Sequence, residues 1–238
     1  MTAARASVMG LDALVERRLG PDDLDAVEAF HAALHRVSPE PGLFVRETRD
    51  FFARHLGSGG RMVGLFDPAG RLVCYSILGL PDANSPEHFG HAIGMHRALR
   101  QLTCHLDGTA VSPEWRGQGL QRRMTLDRIR HGATEGRPIA LSTAAPRNIA
   151  SLTNLTACGL RVVALVEKYD SHRLILRHDT REPPLSPILP ETIRRVPLDG
   201  AKLPHLALLA DGWLGVAVSR QGAKLPTLDY IPGQRATE

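Results

Sequence analysis

Cysteine is scarce in this chain: Cys74, Cys104 and Cys158 are its three thiols, scattered over 238 residues without a C-x-x-C pair. That spacing matches neither a disulfide framework nor a thiolate zinc site, and it suits a reducing compartment. Aromatics are also few, at 5%, which leaves little material for stacking nucleic-acid bases. No run approaches the ~20 apolar residues of a membrane span, and Met1 to Gly10 carries arginine and small side chains without the apolar core of a signal peptide. A soluble, cytoplasmic protein is expected. Charge is not one-sided either: the formal net charge of +4 suits a polyanionic ligand but is too mild for a nucleic-acid surface. What remains is ordinary for a globular protein, with 43% hydrophobic and 23% charged residues, and the length suits one large domain or a domain with an appendage.

Hydrophobic periodicity divides the chain into short elements. Leu14 to Leu19 reads as a strand, and the acidic start Pro21-Asp22-Asp23 opens a helix whose Leu24, Val27, Phe30, Leu34 and Val37 recur at three and four. Ser38-Pro39-Glu40-Pro41-Gly42 ends it, and a second helix is predicted from Val45 to Leu56, stopped by glycines. Arg61 to Phe66 and Arg71 to Leu80 form a hairpin around Asp67-Pro68-Ala69-Gly70. Pro81 to Arg100 is a long polar insertion with His88, His91 and His96. No acidic or thiol partner stands near these histidines at ligand spacing, so a solvated loop covering a substrate is the expectation, and no metal site is assigned.

Leu102 to Val111 follows as a strand whose alternation puts His105, Asp107, Thr109 and Val111 on one face and Cys104, Leu106 and Ala110 on the other. Helices from Gln118 to Thr134 and from Asn148 to Cys158 flank a strand at Ile139 to Thr143. Strands at Leu160 to Lys168 and Arg173 to Arg177 are joined by Tyr169-Asp170-Ser171-His172. Pro183, Pro184, Pro187 and Pro190 then mark a linker. The division expected is residues 11–180 as the main domain and 181–238 as a C-terminal extension. Residues 191–198 and 203–220 could add strands, with a turn at Asp211-Gly212, and the extension is expected to pack on the core or on a second subunit of a homodimer.

One stretch carries chemistry. Val111-Ser112-Pro113-Glu114-Trp115-Arg116-Gly117-Gln118-Gly119-Leu120-Gln121-Arg122-Arg123-Met124 runs from a strand through a glycine-spaced turn into a basic helix. The first amides of a helix have no partners within it, and its dipole favours anions there. Gly117 and Gly119 let the backbone approach a ligand closely, so the turn suits phosphate. Arg122, Arg123, Arg128 and Arg130 are also consistent with an ordinary solvated helix face.

That stretch resembles the acyl-CoA signature of the GNAT superfamily of N-acyltransferases, in which a strand with a Val-x-Pro step meets Gln or Arg, two residues, Gly, one residue, and Gly or Ala. Asn148-x-x-Ser151 followed by Gly159-Leu160 is similar to a second segment of the same family, and with the element order the resemblance spans roughly residues 11–178. It implies an α/β (α+β) fold with a mixed, mostly antiparallel twisted sheet flanked by helices. It also implies acetyl-CoA as cosubstrate, its diphosphate on the amides of Gly117, Gln118, Gly119, Leu120, Gln121 and Arg122, with Arg116, Arg122 and Arg123 nearby. Main-chain groups of Thr109, Ala110 and Val111 would meet pantetheine and the thioester carbonyl, and Asn148 and Ser151 would lie along the pantetheine arm. Two positions depart from the pattern: Gln121 stands where the family has Gly or Ala, and Leu155 where many members have a tyrosine acid.

The reaction so implied is acetyl transfer to a primary amine of a small molecule, or to a protein N-terminus or lysine, by direct attack on the thioester. It needs a base and a proton for the departing thiolate. Asp107 is the candidate base, with Tyr169 and His105 as further proton carriers; structural roles in a bulge, a hairpin and a hydrogen bond remain open for the three. A non-catalytic acyl-CoA-binding or regulatory protein is the alternative, motivated by Leu155, and a nucleic-acid-binding module a more distant one.

Overall fold

The computed structural model describes residues 10–38, 40, 42–185, 189–220 and 224–233. Pro39, Pro41, Pro187 and the stretch Met1 to Met9 lie outside them. In chain order the elements are β1 (Val15–Leu19), α1 (Leu24–Arg36), α2 (Arg49–Leu56), β2 (Gly60–Phe66), β3 (Leu72–Gly79), α3 (Arg97–Gln101), β4 (Thr103–Val111) and α4 (Leu120–Thr134). Then come β5 (Ile139–Ala144), α5 (Ile149–Ala157), β6 (Arg161–Lys168), β7 (Ser171–Asp179), β8 (Arg194–Pro197), α6 (Leu203–Ala210), β9 (Trp213–Ser219) and β10 (Thr227–Pro232). One ten-stranded sheet runs β1-β2-β3-β4-β5-β7-β6-β9-β10-β8, with β4 and β5 parallel and the other pairs antiparallel.

Local chemistry fixes the boundaries. The α2 helix begins at Arg49 and not at Val45, because the Thr48 side chain accepts the Phe51 N–H at 3.2 Å and caps it there. Residues 45–48 are left extended. Asp67 shapes the β2–β3 turn by accepting the N–H groups of Ala69 and Arg71 at 3.0 and 2.9 Å. The β6–β7 hairpin is tighter than the sequence implies. Tyr169 and Asp170, both at positive φ (57° and 52°), make a two-residue turn that lets β7 start at Ser171.

The sheet is covered on both faces. Tyr75 and Ile77 of β3 pack with Val27 and Leu34 of α1 and Phe52 and Leu56 of α2, while Cys74 and Leu78 point to the layer holding α4 and α5. The insertion at 81–101 contributes no residue to the lining of the main cavity. Its Phe89 and Met95 are buried against Ile139, Leu141 and Ile175 of β5 and β7. Its histidines serve the backbone: the His88 ring accepts the Gly90 N–H and donates to the Arg100 carbonyl, and His91 donates to that of Ser85.

The chain after residue 190 extends the same sheet. Gly215 of β9 pairs with Val162 of β6 and sits against its side chain, where a Cβ would not fit. Residues 203–210 form the helix α6, not a strand: buried His205 and the core-packed Leu208 and Leu209 stand at i, i+3 and i+4 on one helical face. Val196, Leu198, Leu228 and Tyr230 are buried in the same cluster as Leu152, Leu160 and Val162. Each such side chain contributes roughly 1.5–3 kcal/mol, comparable when summed with the ~5–15 kcal/mol that holds a whole domain folded. Deleting residues 182–238 is therefore expected to lower the thermal midpoint by more than ~10 °C or to give insoluble protein; an unchanged melting curve would show that the extension is energetically separate.

Candidate active site

The site begins with an irregularity in β4. Ile77 pairs with Gly108 and Leu78 with Leu106, so Asp107 is an extra, unpaired residue in a β-bulge. The bulge resets the alternation. Cys104 and Leu106 face α4 and α5, whereas Ala110 faces α1 and α2 and Val111 faces α4. The common face expected for His105, Asp107, Thr109 and Val111 is thereby broken.

A buried arginine fastens this bulge. Arg128 of α4 is 6% exposed and donates through Nη1 to the carbonyls of Ile77 and Gly108 at 3.0 and 2.9 Å. Its Nη2 reaches the hydroxyls of Thr109 and Thr125, and Nε the Met124 carbonyl, which occupies all five N–H donors of the fork. Burial lowers its pKa to about 10, so it stays cationic at neutral pH. The sequence reading of Arg128 as part of a solvated face is corrected. Its place four residues after Met124 and eight after Leu120, on the helix's inward row, was the available signal.

Beside the bulge the sheet opens. β4 and β5 pair only through Thr103–His105 with Ile139–Leu141, and Ser142 Oγ donates to the Leu106 carbonyl at 2.9 Å where they part. A cavity of about 720 Å³ occupies the gap, lined by Leu106 to Val111 on one side and Ser142 to Ala144 on the other.

At one end of the cavity lies the glycine turn. Gly117 and Gly119 take φ of +77° and +81°, and open space lies where a Cβ would stand on either. The amides of Gly117 to Arg122 have no acceptor among the described residues, while Arg123 N–H already bonds Gly119 O. Arg116 and Arg122 line the same end, whereas Arg147, also part of the cavity lining, pairs with Glu40 at 3.0 Å. Arg123 is not part of that lining: its guanidinium pairs with Glu16 of β1 at 2.6 Å, one helix face away. Gln118 is likewise outside the lining, whereas Gly117, Gly119, Leu120, Gln121, Asn148 and Ser151 belong to it. The off-pattern Gln121 joins helices: its Nε2 donates to Ser151 Oγ and its Oε1 accepts from Asn154. Asn148 caps α5 by accepting the Ser151 N–H at 3.0 Å and donates to the Leu43 carbonyl, so it holds the connection before α2 in place. Leu155 is buried in the core and presents only hydrocarbon to the cavity.

At the other end, two carboxyls stand in opposite electrostatic states. Burial alone would raise the Asp107 pKa, but the hydrogen bond with His55 at 3.1 Å and the charge of Arg128 outweigh it and hold the carboxyl below its usual range. His55 Nδ1 faces the Phe51 carbonyl at 2.7 Å, which can only accept, so Nδ1 carries hydrogen and Nε2 is the atom turned to Asp107 Oδ2 at 3.1 Å. Glu47, half-buried on the connection before α2, is pushed the other way. Burial first, then the negative charge of Asp107, raises its pKa to about 7 against the opposing pull of His55, Arg173 and Arg54. Its backbone is fixed because Glu47 N–H donates to His31 Nε2 at 3.1 Å, which leaves His31 Nδ1 to donate to Tyr75 Oη at 2.6 Å.

Of the three proton carriers read from the sequence, Asp107 and Tyr169 line the cavity and His105 does not. The His105 ring stacks on Phe89 with centroids 3.9 Å apart, its Nε2 accepts the Phe89 N–H at 3.3 Å, and burial lowers its pKa to about 4. That nitrogen has no free lone pair with which to carry a proton. Glu47, His55 and Arg173 escaped the sequence reading because they lie on three segments that only the tertiary fold brings together.

No family model matches the chain, and no curated protein resembles it in sequence. Solved structures do share its fold. The ribosomal-protein-S18-alanine N-acetyltransferase from Escherichia coli aligns over 74% of this chain and 99% of its own with a TM-score of 0.53 and 15% identity. A Salmonella typhimurium protein described as an acetyltransferase, solved with its cofactor acetyl-CoA, covers 73% and 99% at TM-score 0.51 and 17% identity. A GCN5-related N-acetyltransferase from Kribbella flavida covers 71% and 99% at TM-score 0.52 and 17% identity. The fold is that of the GNAT N-acetyltransferases, a mixed and mostly antiparallel sheet flanked by helices.

Two substitutions probe the bulge. Arg128→Met strands the Ile77 and Gly108 carbonyls at ~1–3 kcal/mol each, so urea denaturation is expected to show a loss of ~3 kcal/mol or more; less than ~1 kcal/mol would mean the latch is dispensable. In Gly79→Ala the new Cβ collides with the Asp107 carboxylate. A loss of ~1–3 kcal/mol in the same measurement is expected.

Proposed function

We propose that this chain is an acetyl-CoA-dependent N-acetyltransferase acting on a primary amine of a small molecule. The observation that carries the reading is one continuous cavity with unpartnered helix-start amides at one end and a carboxyl of pKa about 7 at the other. The phosphate end fits the cosubstrate. Its free amides, positive-φ glycines and the arginines Arg116 and Arg122 match a diphosphate in charge and donor direction. The gap between β4 and β5 suits an extended pantetheine arm, since β4 beyond His105 pairs only with β3 and leaves main-chain groups of Thr109, Ala110 and Val111 facing the opening. A backbone N–H there can stabilise negative charge on the thioester oxygen.

Glu47 takes the base role. A base with a pKa near the working pH combines a useful ionised fraction with real proton affinity, whereas Asp107, held low and tied to His55, accepts a proton poorly. Asp107 acts as a fixed charge that keeps the Glu47 carboxyl basic. The amine nitrogen gives its proton to Glu47 and bonds to the acetyl carbon, and the C–S bond breaks to release thiolate. No acid is needed from Leu155, because a thiol with a pKa of ~8.5 leaves readily as thiolate. Tyr169, raised further above its ordinary range by burial, remains a phenol at the mouth and donates a hydrogen bond rather than a proton.

Leu155 is also the feature that favours the second reading, an acyl-CoA-binding protein without catalysis. Rate measurements separate the two. Glu47 ionises as pH rises through about 7, so amine-dependent CoA release is expected to climb through that range. Glu47→Gln should lower kcat roughly 10²–10⁴-fold and remove that limb while leaving acetyl-CoA affinity unchanged. Acetyl-CoA binding with no release from any amine would favour the non-catalytic reading. Gly119→Val, which forces a β-branched residue to positive φ, is expected to weaken acetyl-CoA binding by at least tenfold in calorimetry.

A further inference from the structure

Arg173 of β7 lines the acceptor end of the cavity and has work left over. The residue is 3% exposed. Its Nη2 donates to the Gly42 carbonyl at 2.7 Å, and its Nε is sealed from solvent with no hydrogen-bond partner. Nη1 has no acceptor among the described residues either. The neighbouring groups do little to neutralise the cation. The guanidinium sits 5.7 Å from the Tyr169 ring centroid, and Tyr169 is a neutral phenol. Glu47 is near enough to feel the charge but is only part-ionised near neutral pH. No carboxylate among the described residues lies within ion-pair distance of it, whereas the half-buried Arg161 and Arg177 both pair with Glu182.

A buried guanidinium with an unpaired edge is costly unless something completes it. A planar fork of N–H donors matches a carboxylate better than a single polar atom. The same wall of the cavity holds Glu47 and Asp107, whose negative charge suits an amine. Together the three residues present a cation and anions to one small volume, the complement of a molecule bearing both signs.

Building on the acetyl-transfer reading, we propose that Arg173 is the specificity-determining residue and that the acceptor is a small amino carboxylate, its amine toward Glu47 and its carboxylate on the Arg173 fork. The site then selects amino acids over simple alkylamines and over peptide N-termini, which lack a nearby free carboxylate. Arg173 also ties Gly42, on the connection that carries Glu47, in place through Nη2.

The test uses the full chain loaded with CoA and matched sets of ligands: alanine, methionine, phenylalanine and glutamate, each with its α-amide and its decarboxylated amine. Affinity is measured by calorimetry, and acetyl transfer separately by CoA release from acetyl-CoA. At least one amino acid is expected to bind ten- to a hundredfold tighter than its own amide and amine. Arg173→Gln should erase that difference, and Arg173→Lys, which keeps a charge and can still reach Gly42, should retain part of it; melting curves and CoA affinity confirm that both variants are folded. Equal affinity across every set, a preference that survives Arg173→Gln, or tighter binding of an aminoalkyl phosphonate than of the carboxylate would overturn the proposal. Carboxylate-selective binding without CoA release would uphold Arg173 as the anchor and remove the acetyl-transfer reading. CoA release from amines without carboxylate selectivity would do the reverse.

Discussion

The Arg128 guanidinium is the interaction on which the site depends. A β-bulge leaves main-chain carbonyls without ladder partners, and in this molecule a cation from the opposite layer takes those of Ile77 and Gly108 while bonding Thr109. Because every N–H of that fork is used, the bulge has one arrangement and α4 one height above the sheet. Three consequences follow from the same contact. Asp107 is turned toward His55, β4 leans away from β5 after His105, and the start of α4 stands at the mouth of the gap with its amides free. A lysine could not do this, since a single ammonium cannot span two carbonyls and two hydroxyls in a plane.

Charge is divided between the two ends of the cavity with the same economy. Free amides and arginines make the glycine-turn end positive, and carboxyls make most of the Glu47 end negative. Within that end the two acids behave differently: His55 and Arg128 hold Asp107 as an anion, while burial first and the Asp107 charge second leave Glu47 basic on a half-buried loop. Environments that drive neighbouring acids apart are how proteins obtain a base that works near neutrality. The backbone of that loop is held from three sides, by His31 at Glu47, Asn148 at Leu43 and Arg173 at Gly42. The strained turn at Tyr169 belongs with these supports, for a non-glycine residue at positive φ persists only where surrounding structure over-determines it.

Much of the fold was legible in the sequence, because its signals are local. Apolar spacing marked α1 and α4, turn residues marked the β2–β3 hairpin, and Gly117 and Gly119 marked the positive-φ turn before α4. Local signals also misled. Alternation along β4 took no account of an inserted residue, so His105 was placed on the face of Thr109 and Val111. Of the histidines in the 81–101 insertion, His91 and His96 are exposed as expected, whereas His88 is buried and ties that segment to its own backbone. Val45 to Thr48 looked helical until the Thr48 cap is considered. Glu47, His55 and Arg173 carry no motif at all. Their roles come from distances between segments far apart in sequence, and from burial that no window of sequence reports. Arg128 was readable in principle, as a charge on the inward row of an amphipathic helix.

Backbone amide NMR during a titration with acetyl-CoA tests the proposed cosubstrate site residue by residue. Saturable shifts are predicted for the amides from Gly117 to Arg122 and for Thr109, Ala110 and Val111, with those of the 81–101 insertion unmoved. Saturable binding that leaves the Gly117 to Arg122 amides in place, or no binding at all, would contradict it.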